Sequence, residues 1–204
     1  MIDERQRTPT KRAKRAAAET REHILDVAER LFYWDGIRAT GVDRVAGEAG
    51  VAPTTLYRLF ASKDELVAAY VDRYAASYRE WIETLTSSPG ASPRARILAF
   101  FDGLADNTGP DTFRGCPFLM ALAEYPDPES APHVSAHAVK AWVRAKLVEL
   151  AGQLPGVTRR RQTVVADQLT LVVEGIYASA AALGPDGPAR RARSLAALII
   201  DTAV

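Results

Sequence analysis

Between Thr40 and Lys63 the chain reads TGVDRVAGEAGVAPTTLYRLFASK. Its small, turning and apolar residues fall at the spacing of a helix-turn-helix, whose second helix can lie in the major groove of DNA. Ala46 is small enough for two helices to cross closely. Gly50 stands in the turn, where a positive φ costs little without a Cβ. Val51 and Leu56 point back between the helices, and Pro53 suits the first helical position, where a missing N–H is no loss. The chemistry open to this pattern is recognition of base edges and phosphates. No glycine-rich phosphate loop, GxSxG elbow or metal-binding constellation accompanies it. Glu124 and Glu174 could converge as a carboxylate pair, which keeps an enzyme as a rival reading. An architectural or adaptor protein without a ligand cavity is a second rival.

The elements that must position these residues read as helices throughout. Apolar residues recur at the helical period, and no alternating strand pattern or internal repeat stands out. A first helix is expected from about Thr20 to Trp34, with Ile24, Leu25, Ala28, Leu31 and Phe32 on one face, ended by Gly36. Thr40 is expected to cap the next helix, which runs to about Ala49. A short third helix covers about Pro53 to Phe60. Ser62 and Glu65 form a capping box that opens a fourth helix reaching about Thr84. The break at Ser87–Pro93 precedes a fifth helix to about Asn107, with Ser92 as its cap. Further helices are expected over about Cys116–Glu124, Pro132–Leu150 and Arg160–Leu183. After the turn at Gly184–Pro188 a ninth runs to the C-terminus.

Composition narrows the classes. The chain has 204 residues, is 48% hydrophobic and carries a formal net charge of +1. That suits one mid-sized domain or a small domain joined to a larger one. No apolar run reaches the roughly 18 residues of a membrane span, and the polar, basic start lacks the apolar stretch of a secretory leader. A single cysteine, Cys116, fits a reducing cytoplasm. Residues 1–20 hold six bases against three acids. This stretch reads either as a flexible basic arm that reaches phosphates or as a solvated tail.

The stretch from Thr20 to Val67, above all AGVAPTTLYRLF and SKDEL, resembles the N-terminal domain of the TetR family of bacterial transcription regulators. RGCPFLMALAEYPDP, Arg114 to Pro128, resembles a segment found in one branch of that family. The resemblance implies an all-α fold of about nine helices. Residues 1–19 would be the basic arm, residues 20–66 the DNA-binding domain, and residues 67–204 a ligand-binding and dimerisation domain. It implies a homodimer that binds a near-palindromic operator in double-stranded DNA and is released by a small-molecule effector, in most members as a repressor, with no cofactor. Carried onto this sequence, Thr54 and Thr55 would face base edges or phosphates, Tyr57 a phosphate, and Arg58 a guanine or a phosphate. Thr40 and Lys63 would stand at helix starts where phosphates dock. Arg44 is a weaker phosphate candidate or a solvated side chain. Tyr57 could equally pack at the rim, while Leu56, Leu59 and Phe60 read as core. The family's frequent serine cap is replaced by Ala52, and its frequent histidine by Leu59.

The later helices supply candidates for the other two roles. Phe101, Leu104, Phe118, Met120, Trp142 and Tyr177 fall in the implied ligand region, as core or as lining. Glu174 lies in the apolar run LVVEGIY and needs a partner or water there. It would anchor a cationic or hydroxylated ligand, point to solvent, or pair with an arginine. His133 and His137 share a helix face but lack the companions of a metal site, so no metal is expected. Cys116 reads as a structural thiol. Gly175, Ser179 and Ala182 form a small-residue surface with Val172 and Ile176 beside it, and Leu195, Leu198 and Ile199 lie on the last helix. These residues would make an isologous dimer interface or be buried within one subunit.

Overall fold

The computed structural model describes residues 11–109, 113–184 and 186–203, and among them every regular element is helical. Helix α1 spans Lys11–Asp35. It starts well before Thr20, so part of the expected arm is helix. The Lys-, Arg- and Ala-rich start has no apolar stripe, yet these are strong helix formers. Residues 1–10, with Arg5 and Arg7, lie outside the described residues. The expected stripe of Ile24, Leu25, Ala28, Leu31 and Phe32 is buried, and Gly36 ends the helix at a φ of +96°.

Helices α2, Val42–Glu48, and α3, Pro53–Leu59, follow. Gly41, not Thr40, is the N-cap of α2, with no side-chain bond. Thr40 is wholly buried, and its hydroxyl is 3.5 Å from the Leu31 carbonyl. The turn between α2 and α3 closes as a Schellman motif. Val51 N–H donates to the Ala46 carbonyl at 3.0 Å and Gly50 N–H to that of Gly47 at 3.1 Å, with Gly50 at φ +64°. His23 on α1 donates through Nε2 to the Ala49 carbonyl, 3.2 Å away. Helix α4 spans Lys63–Thr86. The Ser62 half of its capping box is made, with Ser62 Oγ accepting from Glu65 N–H at 3.0 Å, while Glu65 Oε2 reaches one residue further back and accepts from Ala61 N–H at 2.7 Å.

The chain divides into two compact units, residues 1–70 and 71–204, so the boundary falls inside α4, just past the expected 66/67. In the first unit Leu56, Phe60, Leu66 and Val67 join the α1 stripe in the core. The ring of Tyr70 meets that of Phe32 at 5.8 Å, and the Arg21 guanidinium sits 4.9 Å over Phe60.

The second unit holds the rest of α4, then α5 (Pro93–Asp106), α6 (Pro117–Glu124), α7 (Ala131–Gly152), α8 (Arg159–Leu183), a 3-10 turn (Pro188–Arg191) and α9 (Ala192–Asp201). Ser92 Oγ caps α5 by accepting from Ala95 N–H at 3.2 Å. Helix α8 packs against α5, α7 and α9. By length and composition alone it could cross a membrane. Here one side, Val165, Leu169, Val173, Ile176 and Tyr177 among others, is core.

The turn makes opposite demands on its two flanking glycines. A Cβ on Gly47 would meet nothing within 4 Å, and Gly47 lies inside a helix, so Gly47→Ala is expected to raise stability by about 1 kcal/mol. Gly50→Ala places a Cβ on a left-handed residue and is expected to lower it by about 1–2 kcal/mol. Urea denaturation of the two variants checks the pair, and shifts of the same sign would contradict this reading of the turn.

Candidate nucleic-acid interface and the interior of the second unit

Helix α3 sorts its side chains by period. Leu56 and Phe60 point into the core, while Thr54, Tyr57 and Arg58 are exposed and Thr55 is half-buried. Positions 54, 57 and 58 stand three and four apart and share a helix face. Tyr57 is an aromatic left 50% exposed, which the core does not require. Lys63, half-buried, reaches the Arg38 carbonyl at 3.4 Å. The first turn of α4 also carries Asp64 and Glu65, so its cation, not the helix end, is what a phosphate would meet.

Two other candidates are placed differently. Thr40 is buried and cannot offer its hydroxyl to a phosphate; the sequence rule for caps favoured threonine over the glycine beside it. Arg44 is held between carboxylates, by Asp35 at 2.6 Å and Glu48 at 3.1 Å. Arg30 also binds Glu48, at 2.6 Å. Hydrogen bonds from Arg30 first, then Arg44, hold the Glu48 carboxyl below the usual range, and Asp35 and Glu48 raise the Arg44 guanidinium further. This network ties α1 to α2 and was not visible in the sequence.

Inside the second unit the structure gathers some of the expected ligand residues. Tyr78 on α4 and Tyr177 on α8 share a hydrogen bond of 2.8 Å between buried hydroxyls. Burial is the main cause raising both phenols above their ordinary range. Phe118 meets Tyr78 at 5.4 Å and Tyr74 at 5.5 Å, and Phe113 stacks on Tyr177 at 5.8 Å. Glu174 pairs with Lys140 of α7, not with an arginine, both oxygens lying 2.8 Å from Nζ. Lys140 therefore occupies the carboxylate that an enzyme reading would have used beside Glu124. Other candidates lie elsewhere or deeper. Phe101 and Leu104 are wholly buried on α5, with Phe101 against Phe100. Trp142 lies under the Arg79 guanidinium at 5.7 Å, and Met120 is half-buried near Gly115. Cys116 is buried, and burial pushes its thiol up, away from the reactive thiolate. His133 donates through Nδ1 to the Tyr125 carbonyl at 2.8 Å and stacks on His137 at 6.4 Å. No group of three metal-ligating side chains occurs among the described residues.

The outer side of α8 and α9 carries a groove of about 530 Å³, lined among others by Leu171, Gly175, Ser179, Leu195 and Ile199. Val172 and Ile176 are buried and form part of its floor, while Leu171 is 72% exposed and Leu198 59%. Leu171 escaped the sequence reading, although it lies one turn before Gly175 on the same face. Ala182 is exposed beyond the groove.

Comparison with known proteins decides the family. The family model for bacterial regulatory proteins of the tetR family matches residues 24–70. A TetR-type transcriptional regulator from Streptomyces avermitilis is 30% identical, with a TM-score of 0.78 over 90% of this chain and 97% of that one. The chain belongs to the TetR family. A second TetR-family regulator, from Streptomyces coelicolor, superposes with a TM-score of 0.85 at 28% identity, over 91% of this chain and 96% of its own. The HTH-type transcriptional repressor NemR of Escherichia coli is 29% identical over 115 residues, which is 56% of this chain and 58% of NemR. The match thus spans little more than half of that curated relative. As a TetR-family member, this chain is a DNA-binding, helix-turn-helix regulator of transcription, and repressors stand among its relatives.

The tyrosine pair makes a direct energetic prediction. Tyr78→Phe or Tyr177→Phe alone strands the remaining buried hydroxyl and is expected to cost about 1–3 kcal/mol. Removing both hydroxyls should cost less than the sum of the two single changes. A thermodynamic cycle by urea denaturation checks this, and simple additivity would contradict the bond.

Proposed function

We propose that this TetR-family protein is a ligand-responsive repressor that binds a near-palindromic operator as a homodimer in the cytoplasm and leaves it when a small molecule binds. The observation that carries the DNA half is the exposed face of α3, where Thr54, Tyr57 and Arg58 stand together with no packing role. Thr54 and the accessible part of Thr55 meet base edges or nearby phosphates, Tyr57 bonds a phosphate, and Arg58 reads guanine or neutralises a phosphate. Lys63 adds a phosphate contact. Arg44 stays with its carboxylates and contributes little.

The assembly half rests on the outer surface of α8 and α9. Leu171, Leu195 and Leu198 are too exposed for a face that water alone covers. Gly175 is exposed, and a Cβ there would meet nothing within 4 Å of its own subunit. That leaves room for a second helix to approach. A two-fold copy of this face makes an isologous four-helix contact. Two α3 helices then sit about 34–36 Å apart, one helical turn of DNA. An effector acts by binding the DNA-competent and DNA-incompetent states unequally, since equal affinity shifts nothing.

Selection of genomic fragments by the purified protein, followed by fluorescence anisotropy at two salt concentrations, tests the reading. Tight binding to a near-palindrome supports it; weak, sequence-blind binding overturns it. On the selected fragment Arg58→Ala is expected to lower affinity by about 1–3 kcal/mol, and Lys63→Ala to reduce the salt slope by about one. Unchanged affinity and slope would remove both residues from the interface. Leu171→Glu and Gly175→Leu are each expected to shift the protein to monomer in sedimentation, and an unaltered dimer in both would move the interface elsewhere.

A further inference from the structure

Helices α5 and α9 meet along an antiparallel seam of arginines and aspartates. At the start of α5 and the end of α9, Arg94 holds Asp201 through two hydrogen bonds, of 2.7 Å and 2.8 Å. Further along, Arg193 Nε lies 2.9 Å from the Asp102 carboxylate. The same register leads next to Asp106, four residues after Asp102, and Arg190, three before Arg193. This third pair is not closed. Neither side chain makes an ion pair or hydrogen bond among the described residues, and both line a cavity of about 360 Å³. Arg190 belongs not to α9 but to the 3-10 turn Pro188–Arg191 before it. The tighter winding of such a turn takes its side chains off the line that an α-helix sets.

The two ends of the cavity differ in sign. Asp106 and Thr108 stand at the C-terminal end of α5. A helix C-terminus favours a cation, and the last turn of α5 carries no base. Thr108 is 6% exposed, and its hydroxyl donates to the Ala105 carbonyl at 2.7 Å. With that proton committed, the oxygen can only accept from a ligand. At the opposite end stands Arg190, just before α9, whose first turn carries no acid. A helix N-terminus favours an anion. The wall between is small and uncharged, formed by Ala105, Gly109 and Ala189. One molecule with a cation and an anion a few bonds apart answers both ends, whereas a singly charged ligand answers one. The cavity shares only Ala189 with the outer groove of α8 and α9, so it is distinct from the surface proposed for assembly.

We infer that this cavity binds a small amino-acid zwitterion, with its ammonium on Asp106 and Thr108 and its carboxylate on Arg190. The site depends on neither the effector reading nor the assembly reading of the chain. Asp106 and Arg190 are both exposed, so each contact alone is worth little. Selectivity comes from one molecule making both at once.

The test uses four small probes on the purified full chain at low salt, read by ligand-observed NMR titration. Glycine and β-alanine are zwitterions with a short and a longer spacing, propanoate is an anion and propylammonium a cation. The better of the two zwitterions is expected to bind about fivefold more tightly than either ion, the upper worth of one exposed ion pair. Asp106→Asn should remove that preference and weaken propylammonium while leaving propanoate unchanged. Arg190→Gln should remove it and weaken propanoate while leaving propylammonium unchanged. Asp201→Asn, at the closed end of the seam, serves as the control and should preserve the preference. An ion that binds as tightly as both zwitterions, or no binding by any probe, overturns the inference. So does a preference that survives either change at the cavity or is lost in the control.

Discussion

At Gly50 the backbone turns left-handed, with φ at +64°, and the direction of α3 depends on it. The two hydrogen bonds of the turn use the last carbonyls of α2, which a helix end must otherwise leave to water. His23 takes the adjacent Ala49 carbonyl from α1, so all three helices converge on one corner. Once the corner is set, Leu56 and Phe60 have to face inward. The side of α3 that remains, with Thr54, Tyr57 and Arg58, is then left to solvent, and it is the side proposed to meet DNA. The exposed residues are placed by the buried ones.

The second unit is organised around α8, whose two sides do different things. The inner side carries apolar core together with the buried Tyr177, whose hydroxyl bonds that of Tyr78, and the half-buried Glu174, paired with Lys140. The outer side is apolar where a solvated helix would be charged, with Leu171 largely exposed. One helix thus offers both a polar centre and an uncovered surface.

Much of this was legible in the sequence because it is local. The α1 stripe, the Gly50 turn, the Ser62 cap and the Ser92 cap each lie within a few residues, and each was made as read. Glu174 also announced itself, as a carboxylate in an apolar run. Its partner did not, because Lys140 lies 34 positions away on another helix. The same holds for Tyr78 and Tyr177, which are 99 positions apart. The start of α1 was missed for a different reason: alanine, lysine and arginine form helix without an apolar stripe to betray it. At the start of α2 the preference for a hydroxyl cap pointed to Thr40, while burial of that side chain left the role to Gly41.

The ion-pair network beside α2 has a consequence for how the protein moves among DNA sequences. From Thr20 to Tyr70 eight acids outnumber six bases, and two of those bases, Arg30 and Arg44, are tied to Asp35 and Glu48. Attraction to an arbitrary duplex grows with the number of phosphates neutralised. Residues 1–20 add six bases and three acids, so across residues 1–70 twelve bases stand against eleven acids. A unit so nearly balanced relies less on general attraction, and the proposed contacts of α3 then carry more of the choice among sequences.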